Sequence, residues 1–224
     1  LMGVRVLTGT ISAAQAGGAY ALLAERMIEA MQAEVEREMV RAHGRVPGGA
    51  AVVVAMGKLG GREMTANSDL DLIVVYDYPA AITQSSGAKP LASQQYYARL
   101  TQRLISAITA PTAEGRLYEV DMRLRPSGTS GPVASHLESF IAYQREAAWT
   151  WEHMALTRAR VLTGPEPLCA GPHTAPCFFA HFSVFRQSVG QCSVESPPGY
   201  IWSLRRRRTR WPDSWEPKPE TSMS

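Results

Sequence analysis

The sequence predicts an α+β domain, a mixed sheet flanked by helices and entered through one long N-terminal helix. Three stretches carry that expectation. Ser12 to His43 repeats apolar residues at helical spacing. Ala51 to Asp77 sets a glycine-rich loop between two apolar, β-branched runs, and Arg116 to Arg125 alternates apolar and charged residues with strand period.

In the first stretch Leu23, Met27, Met31, Val35 and Met39, with Ile28 beside them, form the stripe expected to pack. Glu25, Glu29, Glu34, Glu36, Arg37 and Glu38 fill the other face. Gly44 closes the helix, and Pro47-Gly48-Gly49 turns the chain into a strand. Val52 to Met56 is short and continuously apolar, as a strand buried on both faces requires. Leu70 to Tyr76 is the second strand. When extended it sends Asp69, Asp71, Ile73 and Val75 to one face and Leu70, Leu72, Val74 and Tyr76 to the other. The two carboxylates then stand about 7 Å apart, two rises of roughly 3.3 Å each. That spacing suits hydrated Mg²⁺, which takes oxygen ligands from one or two carboxylates and completes its octahedron with phosphate. A solvated strand end or a cap is the competing reading of Asp-Leu-Asp. Gly57, Gly60 and Gly61 let the backbone turn and bring amides close to a phosphate. The P-loop pattern is excluded, because Val52 stands where it needs glycine and Leu59 where it needs Ser or Thr. Lys58 is therefore not the lysine of that motif.

Tyr78 to Pro90 reads as a loop, and Leu91 to Ala110 as a helix with Tyr97, Leu100, Leu104 and Ile108 on one face, stopped by Pro111. Within Arg116 to Arg125, Tyr118, Val120, Met122 and Leu124 share one side and Glu119, Asp121, Arg123 and Arg125 the other. The charged side is either a solvated edge or a working surface. Ser135 to Glu138 has capping-box spacing and opens a helix with Leu137, Phe140 and Ile141 inward. In Ala148 to Arg160, Trp149 and Trp151 are expected as core wedges, and His153 takes a hydrogen-bonding role with no catalytic task.

The chain has 224 residues, 45% of them hydrophobic and 19% charged, which is the composition of a folded globular protein. A formal charge of +3 is too small to argue for nucleic acid as a partner. No leader-like series opens the chain and no apolar run reaches membrane-spanning length, so the expected location is the cytoplasm, with no membrane partner. The first residue is Leu1, which suggests a piece of a longer chain. The expected organisation is a helical lead-in over 1–48, one domain over 49–163 and an irregular tail over 164–224. The tail holds all three cysteines and the run Arg205-Arg206-Arg207-Arg208. A zinc reading of Cys169, His173, Cys177 and His181 is disfavoured, because Pro172 and Pro176 break any helix that would align them. The arginine run reads as solvated tail, and the tail itself as foreign to the domain, for example an out-of-frame extension.

Asp69, Asp71 and Asp121 on two strands, with a glycine loop just upstream, form a pattern that resembles the polymerase-β-type nucleotidyltransferase fold. The longer motifs GKLGGREMTANSDLDL, EVDMRLRPSG and AWTWEHMALTRAR together closely resemble the glutamine synthetase adenylyltransferase family, bifunctional enzymes that add and remove adenylyl groups. The resemblance spans roughly Val4 to Leu162, and its wording is nearer the adenylylating C-terminal domain of such enzymes than the de-adenylylating one. It implies transfer of AMP from ATP to a tyrosine of glutamine synthetase, regulating nitrogen assimilation. On that resemblance Asp69, Asp71 and Asp121 are the catalytic and metal-binding residues. The ion is Mg²⁺, with Mn²⁺ as its substitute. Gly57, Gly60, Gly61, Ser68, Arg123 and Arg125 are expected to contact the triphosphate. Arg125 has an equal alternative as a structural ion pair. In the full family enzyme the PII signal protein sets the direction of reaction. Two further readings stay open: phosphorolysis of adenylyl-tyrosine by the sister domain, and an idle fragment that only binds nucleotide or partner.

Overall fold

The computed structural model describes residues 2–113 and 115–164. The expectations for the tail, including the zinc, polyarginine and foreign-origin readings, fall outside these residues. A short helix α1 (Met2–Leu7) leads into α2 (Ala13–His43). Ser12 caps α2 reciprocally: its Oγ accepts from the Gln15 amide at 3.2 Å, and Gln15 Oε1 accepts from the Ser12 amide at 2.8 Å. The buried stripe keeps Ile28, Val35 and Met39 of the expected one and departs from it at Leu23 and Met31. It runs through Ala21, Ala24, Ile28, Val35 and Met39, while Leu23 is 55% and Met31 36% exposed. Close approach explains the difference, since a Cβ at Gly17 would lie 3.3 Å from backbone atoms of Arg62, Glu63 and Met64. Small residues suit such an interface, and Glu25 and Gln32 are buried there on the strength of polar partners.

The sheet is open and mixed. β1 (Ala50–Ala55) pairs antiparallel with β2 (Leu70–Asp77), Val53 opposite Val74. The far edge of β2 receives two short parallel strands. β3 (Val120–Asp121) lies opposite Leu70 and Asp71, and β4 (Ser135–His136) opposite Val75 and Tyr76. β5 (Arg160–Thr163) returns antiparallel on the free side of β1.

Both faces are covered. Val53, Leu70, Leu72, Val74 and Tyr76 share one core with α2 and with Tyr97, Leu100, Leu104 and Ile108 of α4 (Ser93–Ile108). Val52, Val54, Ile73 and Val75 share the other with Phe140 of α5 (Leu137–Glu146) and Leu156 of α6 (Thr150–Leu156). The partition of 70–76 follows the expected alternation. Burial on both sides is what lets these strands read as unbroken apolar runs.

Three expectations are corrected. Of Arg116–Arg125 only Val120–Asp121 is strand; the chain then turns, with the Arg125 amide donating to the Met122 carbonyl at 3.2 Å. The period of two ends at that turn, so Leu124 packs in the second core while Tyr118, Val120 and Met122 pack in the first. Ser135 forms no capping box, because it is taken up in β4 and His136 is the N-cap of α5. Trp149 and Trp151 are 37% and 52% exposed rather than core wedges. His153 is buried, its Nε2 2.9 Å from the Gln144 carbonyl, as a hydrogen-bonding histidine should be.

The departure at Leu23 is directly testable. Ile28 is fully buried and Leu23 largely exposed. Ile28→Ala should cost about 2–5 kcal/mol. Leu23→Ala should cost no more than about 0.5 kcal/mol. Urea unfolding of the two variants checks the rank; equal losses would restore the stripe read from periodicity.

Candidate active site at the head of β2

Asp69 precedes β2, and Asp71 is its second residue. The parallel pairing of β2 with β3 sets Asp121 beside Asp71 in register. Register partners project to the same face, so acids about fifty positions apart in sequence become neighbours. Behind them lies the turn that follows β1. Its short helix α3 (Gly57–Gly60) begins with Gly57 at φ +51°, and a Cβ there would overlap Oδ2 of Asp71. Glycine is required at 57 both for the left-handed backbone and for the approach of that carboxylate. The Met56 amide donates to the Asp71 carbonyl at 2.8 Å and fixes the turn to the strand.

The charges do not balance evenly. Burial, and then the carboxylates of Asp121 and Asp69, push the Asp71 carboxyl above its ordinary value; Arg123 and Lys58 offset this in part. Asp121 shifts the other way. Arg123 forks onto its Oδ2, from Nε at 2.8 Å and Nη2 at 2.5 Å, and the Arg123 amide donates to Oδ1 at 2.8 Å. These hydrogen bonds hold the Asp121 carboxyl below the usual range. The Arg123 side chain is 76% exposed, so a single solvent-facing cation holds one acid of the pair.

Three acids that repel one another, with oxygen donors only, fit a hard divalent cation. Asp121 would first have to give up Arg123. In this conformation no three His, Cys, Asp or Glu side chains among the described residues stand in a ready cage.

The structure thus brings together Asp69, Asp71, Asp121, Arg123 and Gly57. Each of the other sequence-predicted residues makes contacts within the scaffold. The Gly60 and Gly61 amides donate to Met56 and Gly57 carbonyls at 2.7 and 3.1 Å, and both glycines abut Arg158. Ser68 is buried, with its Oγ 2.9 Å from the Thr65 amide and hydroxyl. Arg125 donates to the carbonyls of Met122, Thr129 and Gly131 at 2.8, 3.2 and 3.4 Å, bracing the loop that follows β3. Its structural alternative was an ion pair; the carbonyls take that place.

Two contributors escaped the sequence. Lys58 acts on Asp71, although its failure to fit a known lysine motif gave no reason to look at it. Glu25, assigned to the solvent face of a helix, is buried and paired with Arg62 and Arg160. Arg62 has φ +58°, a left-handed conformation that costs a non-glycine residue about 1 kcal/mol.

Arg123→Ala should return Asp121 toward an ordinary carboxylate. A carboxyl held low in the folded state adds stability above its unfolded value, near 3.9, and loses it as pH falls through the folded one. The variant should therefore begin its acid unfolding at higher pH. Side-chain NMR titration of Asp121 checks this, and an unmoved midpoint would show that Arg123 does not hold the acid.

Residues 1–171 match the model of the family described as glutamate-ammonia ligase adenylyltransferase. The chain belongs to this family. Among its relatives in the glutamate-ammonia ligase adenylyltransferase family are proteins named bifunctional glutamine synthetase adenylyltransferase/adenylyl-removing enzyme. That of Brucella suis biovar 1 (strain 1330) is 59% identical over 170 residues, covering 76% of this chain and 17% of the relative. That of Xanthobacter autotrophicus (strain ATCC BAA-1158 / Py2) is 61% identical over 218 residues, covering 92% and 22%. That of Rhizobium meliloti (strain 1021) is 48% identical over 216 residues, again covering 92% and 22%. This adenylyltransferase-family chain thus spans 17–22% of the length of these curated relatives. All the described residues fall inside the matched range, the acidic pair and its glycine turn included. Among them, no helix is long and apolar enough to cross a membrane.

Proposed function

We propose that this chain is a nucleotidyltransferase unit of the polymerase-β type that moves AMP from ATP to a tyrosine of glutamine synthetase. The observation that carries the reading is the in-register pairing of Asp71 with Asp121 on adjacent parallel strands, against Gly57, in a chain whose relatives carry the adenylyltransferase name.

Asp69, Asp71 and Asp121 would hold Mg²⁺, or Mn²⁺ in its place. When bound, the ion supplies charge neutralisation on the triphosphate and lowers the cost of deprotonating the attacking hydroxyl. The chain's own residues do the rest. Arg123 exchanges the Asp121 carboxylate for phosphate oxygens, which a guanidinium forks onto equally well, and so frees Asp121 as the nucleotide arrives. Gly57 leaves room beside Asp71 that any side chain would fill. The tyrosine hydroxyl, with a free pKa of about 10, must lose its proton as it attacks the α-phosphorus. Asp121 is a weak acceptor while Arg123 holds it and a better one once released. The Tyr O–P bond forms, the bond to the β-phosphate breaks, and pyrophosphate leaves with the electron pair. In the longer enzyme a PII-type signal protein would set the direction.

Incubation of the chain with α-labelled ATP, Mg²⁺ and glutamine synthetase should label the synthetase subunit. No label under conditions where Mg·ATP binds would overturn the reading. The bifunctional names of the relatives favour one second reading, phosphorolysis. Adenylylated glutamine synthetase supplied with inorganic phosphate would then release ADP.

A further inference from the structure

We infer that Glu25, on the long helix and far in sequence from the acids, is a positioning residue that sets the glycine turn against Asp71. The inference rests on the nucleotidyltransferase reading for its consequence, and on geometry for its cause. Glu25 is only 6% exposed, a rare position for a carboxylate unless it is paired. It accepts from Arg62 Nε at 3.2 Å and Nη2 at 3.3 Å, and from Arg160 Nη2 at 2.6 Å.

Both arginines lead to the same turn. Arg160 Nη2 also donates to the Leu59 carbonyl at 3.0 Å, and its Nε to the Gly60 carbonyl at 3.3 Å. Arg62 ends the turn in the left-handed conformation, its fork on Glu25. One carboxylate therefore gathers the exit of the turn, its middle carbonyls through Arg160, and the start of β5, where Arg160 stands opposite Ala55. The other end of the turn is Gly57, against the Asp71 carboxylate. The short helix Gly57–Gly60 and its C-cap Gly61 join the two ends, so a shift at one is carried to the other. Without the charge on residue 25, two guanidinium groups face each other across the turn, and Arg62 is left with only the backbone bonds of the turn, its amide to the Leu59 carbonyl at 3.2 Å and the Glu63 amide to the Lys58 carbonyl at 2.9 Å.

Glu25→Gln keeps the shape and removes the charge. Arg160→Lys keeps the charge but has no fork to reach Glu25 and two carbonyls together. In the unliganded 224-residue chain, amide hydrogen exchange over 57–62 should quicken about tenfold in both variants, with β1 and β2 unchanged. The dissociation constant for Mg²⁺ with a non-hydrolysable ATP analogue should rise roughly five- to twentyfold, with kcat lowered less than KM is raised. Exchange that stays unchanged, or quickens throughout the protein, overturns the inference and leaves the proposed function standing. Local quickening with unaltered analogue affinity overturns it too, since the tether would then be structural only. A wild-type chain that binds no analogue removes the proposed function, and the positioning role with it.

Discussion

Asp71→Asn should sharply reduce AMP transfer and at the same time raise the melting temperature of the metal-free protein at neutral pH. The two effects have one source. Asp71 is pushed above its ordinary value by burial and by the carboxylates of Asp121 and Asp69, so its charged form is disfavoured in the folded state. A carboxyl raised on folding binds more protons folded than unfolded between its unfolded and folded values. Stability then falls as pH rises through that window, and the penalty is fully present above the folded value. Asparagine removes the penalty and, with it, the charge that would hold a divalent ion. Transfer activity should drop by roughly 10²–10³-fold, the loss that follows removal of one preorganised electrostatic group. Thermal unfolding in EDTA and labelled-ATP transfer check the halves separately. Mg²⁺ should stabilise the wild type by mass action and leave the variant unmoved. A variant that is less stable and fully active would mean that the acids are not a metal site.

A large stability effect is expected at Gly60. A Cβ there would overlap the Arg158 carbonyl oxygen and lie 2.9 Å from the carbonyl oxygen of Ala55. Neither neighbour can rotate away, since Ala55 is the last residue of β1 and Arg158 leads into β5. Gly60→Ala should cost about 3 kcal/mol, at the upper end of overpacking penalties. Gly18→Ala is the matched control. It sits inside α2 with nothing within 4 Å of an added Cβ, and should stabilise by about 0.5–1 kcal/mol. Denaturant midpoints decide the pair, and a tolerated Gly60→Ala would mean that the turn and β5 are not packed as described.

The sheet and its helices were legible because each signal was local and strong. The doubly buried runs of β1 and β2, and the face of α4 carrying Tyr97, Leu100, Leu104 and Ile108, stand where periodicity put them. What periodicity missed depended on approach between distant segments. The stripe on α2 holds at Ile28, Val35 and Met39 and fails at Leu23 and Met31, because alanines and two polar residues take the buried positions where the helix nears the backbone at 62–64. The strand at Arg116 was drawn too long, because hydropathy does not report where the Arg125 amide turns back to Met122. At the site, the spacing of Asp69 and Asp71 and the alternation around Asp121 single out acids that the fold sets beside one another. The glycines behaved differently. All three looked equally suited to phosphate, yet only Gly57 faces an acid, and only the neighbours of an added Cβ reveal that difference.

β3 and β4 share one edge of β2, and both are anchored in register there. The intervening segment is thus a span pinned at its two feet, with Asp121 in one footing and Arg123 just past it. Its crown, braced through backbone carbonyls by Arg125, can change side chains while the distance between acids is kept by the footings. Natural variation in such chains should accordingly gather at the exposed Thr129 and Ser130, leaving the chemistry untouched.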